Sequence, residues 1–328
     1  MAEAKRIVSG MRPTGALHLG NLHGALQNWI NMQDQYECFF FIADWHALTS
    51  DYEDPGNIRN YALNMMTDWL AAGLSPEKNV LFVQSWVKQH AELFLLLSMI
   101  TPVPWLERNP TYKEQIEALE NKDLSTFGFL GYPVLQAADI IIYKAGGVPV
   151  GVDQAPHIEL TREIARRFNH LYGRIFPEPE TILTETSKIL GTDRRKMSKS
   201  YNNAIFLSDQ PEEIHSKVSQ MITDPRRMRR KDPGDPSICN VFTFHRLYSP
   251  QSLAAEIEPA CRSAEIGCVD CKKKMAGHLA EFLAPIREKI EYYKNHTDEV
   301  EQVMQEGSDK ARRVAEQTLE EVRAAIKI

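Results

Sequence analysis

Short apolar runs at Arg6 to Ser9, Cys38 to Asp44 and Val80 to Gln84 are separated by amphipathic helical sequence, and this alternation limits the fold more than any other feature of the chain. Runs without an apolar-polar alternation are buried on both faces, as strands of a parallel sheet are. Between them, Leu22, Ala25, Leu26 and Trp29 follow Gly20 at helical spacing. Ile58, Tyr61, Ala62, Met65 and Trp69 do the same after the turn Asp54-Pro55-Gly56. The pattern predicts an α/β architecture with a doubly wound, Rossmann-like parallel sheet. A helix from about Pro133 to Lys144, a strand around Val148 to Val150 and a helix from about Gln154 to Phe168 continue it to the Pro-rich segment Phe176 to Pro179.

After Tyr201 the strand signals nearly stop, and charged helical sequence with the breakers Asp232-Pro233-Gly234-Asp235-Pro236 takes over. The expected division is a catalytic domain over 1–200 and a helical domain over 201–328. Two domains also suit 328 residues, at roughly 100 to 200 residues each. In the last stretch Ser308, just after Gly307, reads as a helix cap, with Ala311, Val314, Ala315, Thr318, Leu319, Val322 and Ile326 on one face. That face predicts a helix packed back on the body. With 43% hydrophobic and 25% charged residues the chain is not a disordered one, and a net charge of −6 excludes a general polyanion binder, so any nucleic-acid contact must use a local patch. The start lacks an apolar signal core. The greasiest stretch, Phe127 to Tyr143, is interrupted by Gly128, Gly131, Pro133, Gln136 and Asp139. The expectation is a cytoplasmic protein with no membrane span.

The first strand runs into a turn, Gly10 to Asn21, that contains His18, Gly20 and Asn21 ahead of a helix. Helix N-termini offer unpaired N-H groups to phosphate, and ligands of open parallel sheets bind beyond the strands' carboxyl ends. Far downstream comes Lys196-Met197-Ser198-Lys199-Ser200. Two lysines in a small polar loop can neutralise charge that develops on polyphosphate. The two segments together resemble the signature sequences of class I aminoacyl-tRNA synthetases. Gly131 to Ile140, Val148 to Gln154, His157 to Arg162, Ala43 to Thr49 and Leu81 to Ser85 are similar to the tryptophanyl-tRNA synthetase branch, and the likeness covers nearly the whole chain.

Carried over by position, the resemblance implies that His18, Gly20 and Asn21 meet ATP, that Lys196 and Lys199, with Met197 and Ser198 between them, meet its phosphates, and that Mg2+ accompanies it. Arg12, Asp153 and Gln154 would complete the ATP side, and Gln154 would also border the amino acid. For L-tryptophan it implies Asp139 as acceptor of the indole N-H, with Tyr132, His46, Gln136, Val148 and Val150 as the remaining wall. Indole is a donor only, so a buried acceptor penalises analogues lacking that proton. Arg12 and Gln136 depart from the family pattern, which has Gln and Met there, and His18 stands where Thr is frequent. The reaction implied is ATP-dependent ligation of tryptophan to tRNA(Trp) by a homodimer. Tyrosine-tRNA ligation and a non-catalytic RNA-binding iron-sulfur protein are the alternatives; the presence of Lys196, Lys199 and His18 counts against the second.

Cys239, Cys261, Cys268 and Cys271 follow the spacing C-x21-C-x6-C-x2-C. A C-x2-C pair brings two sulfurs to one centre, and four thiolates suit either zinc or an iron-sulfur cluster. Resemblance to a subset of the branch favours a 4Fe-4S cluster over Zn2+. Basic runs flank these cysteines, Arg226, Arg227, Arg229, Arg230 and Lys231 before them and Lys272, Lys273 and Lys274 after, and are expected to meet tRNA phosphates. Cys38 reads as an inert strand residue.

Overall fold

The computed structural model describes residues 5–110, 112, 124–183 and 189–328. The chain forms two compact units. Met1–Gly15, Gln27–Thr186 and His296–Ile328 make the first, and Ala16–Leu26 with Ser187–Asn295 make the second. The division therefore falls earlier than Ser200, and both units combine stretches distant along the chain. Such pairing in space leaves no composition shift for a linear reading to detect.

The first unit holds five parallel strands: β1 (Arg6–Met11), β2 (Glu37–Ile42), β3 (Asn79–Val83), β4 (Gly147–Val150) and β5 (Glu180–Leu183), in the order β3-β2-β1-β4-β5. The chain builds outward from β1 to β3 and then returns to the other side of β1. The strand order thus reverses between β1 and β4, where loops leaving the carboxyl ends diverge and open a crevice. β2 shows why the apolar runs become strands: its last five residues are all buried. β5 gave no such signal, because Glu180 and Leu183 are exposed and Thr181 and Ile182 half-buried. Backbone pairing to β4 holds it.

Helices Ile58–Ala72 and Ala155–Tyr172 form where apolar spacing predicts them. The helix expected from Pro133 begins at Phe127, capped by Thr126, whose Oγ1 accepts from the Phe129 N-H at 3.2 Å, and it carries Pro133 inside. The regular helix expected over Leu22 to Trp29 is interrupted: Leu22–Leu26 is a π-turn between the short helices Leu19–Asn21 and Gln27–Met32.

Ser308 does not cap a helix. One helix runs through it, Thr297–Ile326, and a Cβ at Gly307 would stand 1.8 Å from the carbonyl oxygen of Leu81 in β3. The buried Ser308 hydroxyl donates to the Met304 carbonyl at 2.7 Å and accepts from the Val83 N-H at 3.3 Å. Glycine and serine there permit close approach to the edge strand, which outweighs their poor helix propensity. Ala311, Ala315, Leu319 and Val322 join the core of the first unit, as their shared face predicts.

The second unit contains helices Pro211–Ser219, Asn240–Tyr248, Gln251–Arg262 and Cys268–Asn295. Ile214, Val218, Met275, Leu279 and Leu283 are buried in it. Among the described residues no helix is long and apolar enough to cross a membrane.

Candidate active site

Beyond β1 and β4 the first unit contains a cavity of about 310 Å³. Seven side chains singled out from the sequence line it: Arg12, His46, Tyr132, Gln136, Val148, Val150 and Gln154. Gly10 also lines it, and a Cβ there would stand 2.5 Å from the ring of Phe41. The glycine therefore keeps the floor open. Arg12 donates to Ser50 Oγ at 3.3 Å, and Gln154 Nε2 donates to Asp153 Oδ2 at 3.1 Å.

Asp139 is buried, as the sequence led one to expect, and the fold itself supplies its donors. It is fully buried, and its carboxylate accepts from His46 Nε2 at 2.7 Å, from His90 Nδ1 at 2.5 Å and from Gln84 Nε2 at 2.8 Å to each oxygen. The wall residue joined to it is His46. Burial alone would raise the Asp139 pKa, but the hydrogen bond from His46 and the nearby His90 outweigh it and hold the carboxyl below the usual carboxylate range. The group is ionised at neutral pH and supplied with donors, the condition under which a buried charge is tolerable.

Sequence reasoning assigned no role to His90 or Gln84. The signal for Gln84 was its place just beyond the carboxyl end of β3. His90 sits among the apolar residues of helix Gln89–Ser98 and has none. Tyr132 is held in turn: its hydroxyl donates to Nε2 of buried His157 at 2.9 Å. Burial, followed by the His46 ring, brings the His157 pKa down to about 4, so the ring is neutral and can accept.

Within the second unit the first signature segment pairs with Ile205 to Leu207, just past the lysine loop. Leu19 N donates to Ile205 O and Leu207 N to Leu17 O, both at 3.0 Å, and His18 bridges Phe206. Asn21 Oδ1 accepts from the His18 N-H at 3.1 Å. A Cβ at Gly20 would stand 2.9 Å from the His18 ring and 3.5 Å from Met197 Cβ. Buried His18 has its pKa lowered to about 4, by burial first and by Lys199 second, and its Nδ1 has no partner among the described residues. Asn203 shapes the lysine loop: its Oδ1 accepts from Ser198 N at 2.8 Å and its Nδ2 donates to Asp193 at 2.7 Å and to the Lys196 carbonyl at 3.2 Å. Met197 is buried, which anchors the loop; Lys196 is exposed, and Lys199 and Ser198 are half-buried.

The four late cysteines also belong to this unit. Burial pushes the Cys271 thiol up to about 12, and the other three cysteines add to the shift, so all four share one neighbourhood. Among the described residues, however, no three His, Cys, Asp or Glu side chains are arranged to hold a metal ion. The first basic run also makes bonds within the unit. Arg226 pairs with Asp224 and Asp235. Arg227 reaches Cys261 Sγ at 3.7 Å and the Ile266 carbonyl at 2.8 Å, and Arg230 bonds the carbonyls of Ala264 and Glu265. These guanidinium groups tie the loop to the cysteine segments. Lys272 donates to the Ser219 carbonyl at 2.7 Å, while Arg229, Lys231, Lys273 and Lys274 are exposed. Cys38 is a buried strand thiol, pushed up to about 12 by burial and then by Glu37.

The family described as tRNA synthetases class I (W and Y) matches residues 2–284. The chain is 54% identical to the tryptophan-tRNA ligase of Thermotoga maritima over 98% of this chain and 99% of that one. It is 49% identical to that of Aquifex aeolicus, over 98% of this chain and all of the other. Among solved structures, tryptophanyl-tRNA synthetase from Campylobacter jejuni, complexed with ADP and tryptophan, matches with a TM-score of 0.91 at 31% identity, covering 98% of this chain and 100% of that chain.

Proposed function

This chain belongs to the class I tRNA synthetases of the tryptophan and tyrosine family, and we propose how its residues perform the tryptophan-tRNA ligase reaction. Identity of about half across 98% of the chain to tryptophan-tRNA ligases carries tryptophan over tyrosine as the substrate.

In the first step the tryptophan carboxylate attacks the α-phosphorus of ATP, forming tryptophanyl-adenylate and releasing pyrophosphate. A hydroxyl of the tRNA 3' terminal ribose then attacks the activated carbonyl, and AMP leaves. The carboxylate is already ionised at pH 7, so the first step needs orientation and charge stabilisation rather than a base. The cavity of about 310 Å³ in the first unit takes the amino acid, with Tyr132, Gln136, Val148 and Val150 around the side chain and the pair His46 and Asp139 on its polar side. Arg12, Asp153 and Gln154 serve the ribose and the amino-acid backbone. In the second unit His18, Gly20 and Asn21 serve the nucleotide. The orphaned His18 Nδ1 supports this assignment. Lys196 and Lys199 balance charge on the leaving pyrophosphate, with Met197 and Ser198 fixing the loop. Mg2+ arrives with ATP and adds positive charge on the phosphates.

The donor chemistry of the four thiols and their shared neighbourhood support a tetrathiolate group, although among the described residues no three of them are arranged to hold a metal ion. Cys239, Cys261, Cys268 and Cys271 would hold a 4Fe-4S cluster, or zinc in second place, which would tie their four segments together. Leu95, Met99, Val103 and Phe127 are exposed apolar residues of the first unit, which supports a homodimer. The cytoplasm is where such enzymes work. Exchange of labelled pyrophosphate into ATP, run with each amino acid in turn, tests the reading: tryptophan alone should support exchange, and equal exchange with tyrosine would overturn it.

A further inference from the structure

Behind His46 the first unit holds a buried polar chain that reaches well past the cavity wall. Asp139 accepts from His46, Gln84 and His90, and His90 Nε2 meets the Tyr143 hydroxyl at 2.6 Å. Gln84, His90, Asp139 and Tyr143 are all fully buried. The Tyr143 ring is fixed by Phe39 and Phe82, at centroid distances of 4.8 and 5.4 Å. The four residues come from the end of β3, from helix Gln89–Ser98 and from helix Phe127–Ile141 with the turn after it.

The chemistry of the groups fixes the direction of each bond. An ionised carboxylate only accepts, so the ring nitrogens facing Asp139 donate. His90 then donates from Nδ1, and its Nε2 shares a hydrogen bond with the Tyr143 hydroxyl. His46 donates to Asp139 from Nε2, so its Nδ1, which takes no hydrogen bond among the described residues, is the atom that a ring lining the cavity leaves open. A second ring nitrogen is commonly set in this way by the partner of the first.

We propose that His90, backed by Tyr143 and joined by Gln84, is a positioning residue for tryptophan recognition, holding Asp139 in register with His46 and thereby fixing the acceptor that the cavity presents to the indole N-H. The proposal rests on the tryptophan reading above. It adds three residues that touch neither tryptophan nor ATP, and it locates indole discrimination partly in the core behind the pocket. Losing a hydrogen bond to a positioned polar group is what lets a site reject an analogue lacking that group, so loosening Asp139 should weaken discrimination more than it weakens catalysis in general.

The test measures pyrophosphate exchange by wild type, His90→Leu, His90→Asn and Tyr143→Phe, with tryptophan and with the analogue whose indole N-H is replaced by sulfur. His90→Leu should raise the tryptophan KM and cut the tryptophan-to-analogue ratio of kcat/KM by about tenfold or more, with the ATP KM unchanged. His90→Asn retains a donor and should recover most of the ratio. Tyr143→Phe removes one oxygen and keeps the ring packing, so it decides the matter if His90→Leu fails to fold, and its ratio should fall by a few-fold. An unchanged ratio in a folded variant, or an ATP KM that rises in step with that for tryptophan, overturns the proposal. Wild-type exchange that does not depend on tryptophan would overturn the functional reading instead.

Discussion

His18 is kept neutral by burial and, after it, by the ammonium of Lys199, which together lower its pKa to about 4. The two residues stand in the two signature segments of the second unit, the first of which pairs with Ile205 to Leu207, just past the second. A neutral imidazole can donate or accept toward a nucleotide without adding a fixed charge, so the positive charge needed for pyrophosphate departure falls to the lysines.

Lys199→Ala should therefore lower kcat for tryptophan-dependent pyrophosphate exchange by ~10²-fold or more, while tryptophan binding stays nearly intact. Titration of His18 by NMR in the same variant should show its pKa rising, since a cation has left. A fully active variant would remove Lys199 from the chemistry.

Replacing Asp139 tests the buried carboxylate. Asp139→Ala leaves the donors of His46, His90 and Gln84 facing a gap, and breaking such a buried arrangement costs about 3 to 5 kcal/mol, measurable by urea unfolding. Discrimination against phenylalanine should relax by ~10²-fold or more. A preserved discrimination ratio would move indole recognition to another residue.

Two glycines in long helices should respond in opposite ways. Gly307→Ala puts a methyl group into the Leu81 carbonyl and should destabilise by about 1 to 3 kcal/mol. A Cβ at Gly277 meets nothing within 4 Å, so Gly277→Ala should stabilise by up to about 1 kcal/mol. Equal shifts in melting temperature would contradict the close approach of helix and strand.

Acid should weaken the fold through its buried histidines. His18, His157 and His245 each have a pKa lowered from 6.5 to about 4, mainly by burial. Unfolded chains take up these protons first, so the contribution is complete above pH 6.5 and is lost as pH falls toward 4. Urea midpoints near neutral pH and at about pH 5 should show the loss, and His157→Gln should reduce it.

Anaerobically purified protein should be brown and contain about four irons per chain if one 4Fe-4S unit occupies the cysteines. Cys271→Ser should then impair tRNA charging more than pyrophosphate exchange. Zinc without iron would transfer the site to the zinc reading, and the absence of both would leave four ordinary thiols.

The sequence was most legible where burial acts on both faces or where a loop must keep a fixed shape. Phe39 to Ile42 could only be a covered strand, and the segments of His18 and of Lys196 to Ser200, singled out by resemblance, both belong to the second unit. Val148, Val150, Tyr132 and Gln136 line the first unit's cavity, although their types suit plain core equally well. Legibility failed where the cause lies in another segment. Gly307 and Ser308 read as a helix boundary because the nearness of Leu81 leaves no mark in local sequence. Arg226, Arg227 and Arg230 bond carboxylates and carbonyls, some of them tens of residues away, that are invisible from the run itself. Asp139 read as a buried acceptor in need of a partner, but nothing near it in sequence announces His90.

Helix Thr297–Ile326 covers β3, an outer strand of the sheet, through a contact so tight that only glycine fits. Synthesis delivers that helix after every residue of the second unit has emerged. A nascent chain thus holds an incomplete Rossmann half with an apolar seam along β3, and it must wait for a distant segment to seal it. Trimming or stiffening that segment would be a lesion in the unit that holds the cavity, although the stretch Ser187–Asn295 lies between it and the strand it covers.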